Sequence, residues 1–263
     1  MQYDAPMEKI IFYKYTGNGN DFILVSEEDF HWSKEQIAQL CHRQFGIGAD
    51  GVIVIGQASG VDASMRIFNA DGGEAEMCGN GLRCLVHYLF DHVAQKNEYK
   101  IKTMNSLFTV EQVDGKFFIE MSVANDKDKF DLAVFKDFPQ AFFVNTGVPH
   151  LCFLVEDAKN INIKEVAPFY RHHPMFSQGT NVNFIEVVDE KKQVAYVRTF
   201  ERGVEDETFS CGTGVTACAH ALNHFLNWRG DIHIENRGGP HLVSFNEKIK
   251  FSGLETFVFK GEV

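Results

Sequence analysis

Short runs of β-branched and aromatic residues alternate along the chain with a few longer apolar stripes at helical spacing. Ile10–Tyr15, Phe22–Val25, Val52–Ile55 and Met65–Phe68 predict strands, because these residue types suit a pleated, half-buried surface. Between the second and third, Ser33 followed by Gln36 forms a capping box. Ile37, Leu40, Cys41 and Phe45 then make a helical stripe that Gly46 stops. Phe108–Val113 and Lys116–Ser122 flank Asp114-Gly115, a two-residue reversal signal. Further strands are predicted at Phe142–Asn145, Leu151–Val155, Val182–Val188, Val194–Phe200, Ile249–Phe251 and Thr256–Phe259. The charged, weakly patterned stretch Ala124–Pro139 marks a domain junction, giving halves of 1–124 and 125–252. Strand pairs are too many and helices too few for a doubly wound fold, so the class is mixed α/β.

The two halves echo each other. Arg66-Ile-Phe68-Asn69 precedes Cys78-Gly-Asn-Gly81, and Arg198-Thr-Phe200-Glu201 precedes Cys211-Gly-Thr-Gly214. A second echo sets Gly19-Asn20-Asp-Phe22-Ile against Thr180-Asn181-Val-Asn-Phe184-Ile. After Cys78 the apolar positions Leu82, Leu85, Val86, Leu89, Phe90 and Val93 follow helical spacing. After Cys211 the same spacing runs through Val215, Cys218, Ala219, Leu222 and Leu226, with Gly230 placed to end the helix. Each thiol therefore heads a helix, where unbonded N–H groups and the positive dipole end favour an anion and a lowered thiol pKa.

Composition narrows the function classes. The 263 residues hold 25 basic and 36 acidic side chains, a net charge of −11 that argues against a nucleic-acid or anionic-membrane partner. No apolar run approaches a membrane span and no signal-peptide pattern opens the chain, so a cytoplasmic location is expected. The 6 cysteines are too sparse for a disulfide scaffold. Cys41, Cys84, Cys152 and Cys218 fall on apolar stripes or in a strand and read as core thiols. Cys78 and Cys211 share one motif at two helix starts and read as chemical, with a mutual disulfide or a metal site as the competing reading. Cys84-x-x-His87 alone is no zinc site, and no metal is expected. Gly46-Ile-Gly48-Ala-Asp-Gly51 matches the dinucleotide-binding string, but a helix precedes it and a strand follows, so it reads as a tight loop. His220 and His224, without a third ligand, read as a surface or core pair.

Two thiols, one from each half, suit inversion of a stereocentre beside a carboxylate. A thiolate removes the α-proton from one face and the opposite thiol protonates the other, while helix N–H groups hold the carboxylate. No cofactor is needed as an electron sink. Taken together, Gly17-x-Gly19-Asn20-Asp21-Phe22, Arg66-Ile-Phe-Asn69-Ala-Asp-Gly72, Cys78-Gly-Asn-Gly-x-Arg-Cys84, Glu201-Arg202-Gly203 and Cys211-Gly-Thr-Gly214 resemble the diaminopimelate epimerase family over nearly the whole chain. The resemblance implies cofactor-independent conversion of LL-diaminopimelate to the meso form, for lysine and peptidoglycan synthesis, by a homodimer. It implies two pseudo-symmetric domains, each a curved mixed sheet around a central helix, with a cleft between them. The last strand, within 253–263, is expected to return to the first domain.

Carried over by motif, Cys78 and Cys211 correspond to the acid/base pair, and Gly79, Asn80, Gly212 and Thr213 to the cradle of the reacting carboxylate. Asn20, Asn69, Asn181, Glu201 and Arg202 correspond to the group reading the distal ammonium and carboxylate. His150 corresponds to the family's active-site histidine, its alternative being a structural strand-edge residue. The chain departs from the family at Val148, where Asn is frequent, and carries one extra residue between Arg202 and Cys211. The other readings are a proline-type racemase of the same fold, against which Asn20, Glu201 and Arg202 argue, and a thiol redox or metal-binding protein.

Overall fold

The computed structural model describes residues 9–121, 123, 130–246 and 248–263. Two compact units divide the chain, one running to Gln112 and including Glu255–Val263, the other spanning Val113–Leu254. The predicted junction at 124/125 lies outside the described residues. The division falls earlier because the strand Lys116–Glu120, placed by sequence in the first half, pairs with Ile249–Ser252.

The first unit runs β1 (Ile11–Gly17), β2 (Asn20–Ser26), α1 (Lys34–Cys41), β3 (Gly51–Gly56), β4 (Ala63–Asn69), β5 (Glu74–Ala75), α2 (Gly79–His92), β6 (Glu98–Lys102) and β7 (Leu107–Val113). β1 is antiparallel to β2 and to the C-terminal strand Glu255–Glu262, which is β17 in chain order. β2 runs parallel to β3, β3 antiparallel to β4, β4 antiparallel to β5 and parallel to β6. Each parallel join needs a crossover, and α1 and α2 supply them. Phe22–Val25 and Gly51–Val54 are buried at successive positions rather than alternately. The cause is cover on both faces. Ile37 and Cys41 of α1 pack with Phe12, Ile23, Val25, Val52 and Val54, while α2 packs against β1 to β4 and β17.

The second unit runs β8 (Lys116–Glu120), β9 (Ala141–Asn145), β10 (Pro149–Val155), α3 (Ile163–Arg171), β11 (Asn181–Asp189), β12 (Val194–Glu201), β13 (Asp206–Thr208), α4 (Gly212–Leu226), β14 (Gly230–Asn236), β15 (Gly239–Phe245) and β16 (Ile249–Ser252). Its pairings repeat the first unit's. β9 is antiparallel to β10, β10 parallel to β11, β11 antiparallel to β12, and β12 antiparallel to β13 and parallel to β14. A phenylalanine-rich core of Phe135, Phe143, Phe153, Phe176, Phe184 and Phe200 surrounds Tyr170 of α3. The fold is thus mixed α/β, with one topology used in both units.

The register tests the two sequence echoes separately. Phe68 lies opposite Glu74, and Phe200 opposite Glu207. Arg66 forks onto Glu74 at 2.8 and 3.0 Å, and Arg198 onto Glu207 at 2.7 and 2.9 Å. The first echo is therefore a true equivalence. The second is not. Phe22 faces Gly51 where His150 faces Asn181, and Gly51 faces Asn69, so the counterpart of Asn181 is Gly51, not Asn20. The shared string reflects an asparagine opening an apolar strand, which occurs at different strands in the two units.

Three local expectations change. The first helix ends at Cys41 rather than Phe45, because His42 turns extended and its Nδ1 accepts the amides of Gln44 and Phe45 at 3.2 Å. Phe45 is left exposed. α4 ends at Asn227, which takes the left-handed conformation itself (φ 57°), and Gly230 instead opens β14. α3 was not visible because Pro168 sits inside it and reads as a breaker. Asp114 and Gly115 do adopt the positive φ values, 50° and 78°, of a two-residue reversal.

Candidate functional site

In the first unit, Cys78 is the N-cap of α2, with extended backbone (φ −143°, ψ 120°) and no side-chain cap on the helix. The first intrahelical bond, 2.9 Å, runs from the Leu82 amide to the Cys78 carbonyl, so the amides of Gly79, Asn80 and Gly81 point out of the helix end. Asn80 is buried and its amide is fully directed. Its Nδ2 donates to Asn20 Oδ1 at 2.9 Å, and its Oδ1 accepts from Arg83 at 3.0 Å. Asn20 in turn donates to Asp50 Oδ2 at 3.0 Å. Arg83, fully buried one turn into α2, also reaches Asn18 Oδ1 at 2.7 Å and Glu255 Oε2 at 3.1 Å. Burial pushes the Glu255 carboxyl up to about 7 against the opposing pull of Arg83. Asn18 and Gly19 hold positive φ (48° and 86°), the reversal that presents Asn18 and Asn20 on either side of the β1–β2 turn. Asp21 anchors the same end, accepting Arg43 at 2.6 and 2.7 Å and Lys14 at 2.6 Å.

In the second unit, Cys211 is the N-cap of α4, again extended (φ −127°, ψ 108°) and again without a side-chain cap. The Val215 amide bonds the Cys211 carbonyl at 2.8 Å, leaving the Gly212, Thr213 and Gly214 amides at the helix end. Cys211 Sγ lies 3.3 Å from Thr213 Oγ1, which lies 3.0 Å from His150 Nε2. His150 Nδ1 lies 3.2 Å from Asn183 Nδ2. Asn183 Nδ2 also donates to the Leu151 carbonyl at 3.1 Å, and its Oδ1 accepts from Thr199 Oγ1 at 2.9 Å. Thr146 Oγ1 fastens the loop before β10 to the Thr213 carbonyl at 3.0 Å. His150 is wholly enclosed, and burial above all, aided by the charge of Arg202, pushes its ring down to about 3. The imidazole is neutral.

Of the residues singled out by sequence, the structure joins Asn20 to Asn80 beside Cys78 and Gly79, and His150 to Thr213 beside Cys211 and Gly212. Asn181 is tied to both sides of its strand, donating to the Pro149 carbonyl at 2.9 Å and accepting the Arg202 amide at 2.8 Å. Arg202 NH1 donates to the Gln178 carbonyl at 3.2 Å. Glu201 ends β12, and burial raises its carboxyl above the ordinary range. Asn69 ends β4 at the matching register and is exposed. Asn18, Asp50, Arg83, Glu255, Asn183, Thr146 and Thr199 complete these networks and were not singled out. Arg83 and Asn183 sit inside quoted strings, but only the fold aims them at the helix ends. Cys41, Cys84, Cys152 and Cys218 are buried, as their apolar stripes predict.

Comparison with known proteins gives the family and the fold. The sequence profile of diaminopimelate epimerase matches residues 12–126 and 142–253. A diaminopimelate epimerase from Methanocella arvoryzae is 38% identical, covering 98% of this chain and 98% of that protein. Among solved structures, a phenazine biosynthesis protein of the PhzF family from Enterococcus faecalis superposes with a TM-score of 0.70 at 14% identity, covering 97% of this chain and 99% of that one. A probable proline racemase from Agrobacterium radiobacter superposes with a TM-score of 0.64 at 15% identity, covering 97% and 92%. The two structural likenesses establish the fold. The profile match and the near-full-length identity establish more: this chain, an isomerase, belongs to the diaminopimelate epimerase family.

Proposed function

We propose that this protein interconverts LL- and meso-diaminopimelate through Cys78 and Cys211 as a two-base pair, in service of lysine and peptidoglycan synthesis. The observation that carries the reading is the repeated strand–Cys–helix element, in which each unit places one thiol at a helix start that the cysteine's own side chain does not cap. One thiolate abstracts the α-proton from one face of the substrate. The other thiol delivers a proton to the opposite face, and the roles exchange in the reverse direction. The carbanion pushes charge onto the α-carboxylate. Amides of Gly79, Asn80, Gly212 and Thr213, fixed before substrate arrives, receive that charge, and each such donor is worth about 3–4 kcal/mol to the transition state. Family membership and the repeated cysteine at a helix start support the reading.

The distal end of the substrate carries one ammonium and one carboxylate. Glu201, the guanidinium of Arg202 and the amides of Asn20, Asn69 and Asn181 are assigned to it, since a zwitterion is best met by one anion, one cation fork and neutral amides. His150 supports Cys211 through Thr213. A homodimer in the cytoplasm completes the proposal. The dimer is what membership of the family implies. No helix among the described residues is long and apolar enough to cross a membrane.

The test is stereochemical. Purified reduced protein, incubated with LL-diaminopimelate and no added cofactor, should yield the meso isomer, and Cys78→Ala or Cys211→Ala should abolish it. Turnover of proline with none of diaminopimelate would overturn the substrate assignment, and full activity in either alanine variant would overturn the acid/base roles. Sedimentation of wild type as a monomer would overturn the dimer.

A further inference from the structure

We propose that Asn183, acting through the ring of His150, fixes the direction of the hydrogen bond that reaches Cys211 and so biases that thiol toward its thiolate. The inference rests on the reading of Cys211 as an acid/base thiol and adds a positioning residue to it. Asn183 lies on β11, wholly buried, and its hydrogen-bond partners are not Cys211 but residues behind it. The orientation of its amide is not open. The Leu151 carbonyl at 3.1 Å only accepts, so the atom facing it is the nitrogen, and Thr199 Oγ1 at 2.9 Å serves the amide oxygen. Two acceptors face the second amide hydrogen, His150 Nδ1 at 3.2 Å and Cys152 Sγ at 3.6 Å; the nearer and stronger is the ring nitrogen, which must then be bare.

A neutral ring with a bare Nδ1 carries its proton on Nε2. That N–H donates to Thr213 Oγ1 at 3.0 Å, and with this lone pair engaged the hydroxyl proton is directed to Cys211 Sγ at 3.3 Å. A donor aimed at sulfur favours the thiolate. In the other tautomer Thr213 would donate to the ring, and an oxygen lone pair would face sulfur, favouring the thiol. One buried amide thus selects between two chains of opposite sense.

The matching position in the first unit is built differently. Asn80, also two residues after its cysteine, donates to Asn20 and accepts from Arg83. The two thiols therefore stand in unlike settings, as a pair that must begin in unlike protonation states requires. Among the described residues, the titratable and charged groups facing this chain include Arg202, which bears on His150, Cys152, whose sulfur lies 3.6 Å from Asn183 Nδ2, and Cys218, whose sulfur lies 4.0 Å from that of Cys152. Burial holds Cys218 well above the ordinary thiol range, so it stays protonated.

The experiment has two readouts, neither of which is turnover. Nitrogen-15 NMR of histidine-labelled protein, with the His150 resonances assigned by their loss in His150→Gln, reports which ring nitrogen bears the proton. The expected result in wild type is a proton on Nε2 and a bare Nδ1. Alkylation of Cys211 by iodoacetamide, followed by peptide mapping, reports thiolate. In Asn183→Asp, which has no hydrogen to donate, the proton should move to Nδ1 and alkylation at neutral pH should slow about tenfold, the size of one hydrogen bond to a charged group. Asn183→Leu should slow it similarly. A wild-type ring protonated on Nδ1 overturns the proposal without any variant, so it is decided even if neither variant folds. A folded variant with unchanged tautomer and unchanged alkylation also overturns it. Absence of diaminopimelate turnover would defeat the proposed reaction instead, and leaves both readouts able to decide this one.

Discussion

Gly81 and Gly214 occupy the same place, three residues after the helix-capping cysteine in each unit, yet replacing them by alanine should have unequal consequences. A Cβ at Gly214 would stand 2.8 Å from Asn183 Oδ1 and 3.3 Å from both Thr199 Oγ1 and Cys211 Cβ. Asn183 has no room to yield, because its amide is held by Thr199, Leu151 and His150 at once. Helix propensity favours alanine by about 1 kcal/mol. Displacing the amide forfeits two buried hydrogen bonds and adds overpacking, together about 2–4 kcal/mol. Gly214→Ala should therefore lose about 1–3 kcal/mol net, with turnover down at least about tenfold as the chain to Cys211 is disturbed. A Cβ at Gly81 meets instead Ile53 Cδ1 at 3.0 Å, Ile67 Cδ1 at 3.2 Å and Met65 Cε at 3.3 Å. These are tips of flexible side chains, whose small adjustment roughly offsets the propensity gain, so Gly81→Ala should stay within about 1 kcal/mol of wild type. Urea unfolding and epimerisation rate measured on both variants decide it. A Gly214→Ala protein as stable and active as wild type, or a larger loss in Gly81→Ala, would refute the reasoning.

Three further outcomes follow from buried groups. Burial pushes the Asp21 carboxyl up, but the hydrogen bonds from Arg43 and Lys14 outweigh it and hold it below the ordinary 3.8. Its stabilising contribution is present above that value and lost as pH falls through the folded value. Asp21→Asn should thus cost about 1.5–3 kcal/mol at neutral pH, with the deficit in urea unfolding shrinking in acid. The Glu255 carboxyl shifts the other way, from 4.5 to about 7, so ionising it erodes stability as pH rises between those values. Arg83→Met should destabilise by about 3–5 kcal/mol in alkaline buffer and by less below the ordinary glutamate range, as a pH series of unfolding curves would show. Cys84 is a wholly buried thiol kept protonated by that burial, and Cys84→Ala should cost about 1–2 kcal/mol of unfolding free energy while leaving the epimerisation rate within about twofold.

The legible part of the fold was its hydrophobic punctuation. Phe22–Val25, Val52–Ile55 and Val182–Val188 are rich enough in β-branched and aromatic residues to be read as strands, whereas their burial on both faces shows only in the fold. The stripes after Cys78 and Cys211 located both central helices. Weakly alternating strands such as Gly230–Asn236, with only Ile232 and Ile234 turned inward, carry too little pattern to be read. α3 hides behind Pro168. The same division holds at the site. Cys78 and Cys211 were marked by motif, because a cysteine at a helix start leaves a local signature. Arg83 and Asn183 were not, because their importance lies in partners 65 residues away at Asn18 and 33 residues away at His150, which only the folded register brings together. The misleading match of Asn20 with Asn181 shows the limit of short echoes, since one asparagine opens β2 and the other opens the strand equivalent to β3.

The central claim is that two thiols divide one proton transfer between opposite faces of the substrate carbon. It is tested most directly by where solvent hydrogen appears. Wild-type protein is incubated with LL-diaminopimelate in heavy water, and at early times the recovered substrate and the meso product are separated and their α-deuterium measured. The account predicts deuterium at the inverted carbon of the product and almost none in the recovered substrate, because the proton removed by one thiol is not the one returned by the other. Equal labelling of substrate and product from the outset, or product retaining the original hydrogen, would mean one group working on both faces and would contradict it.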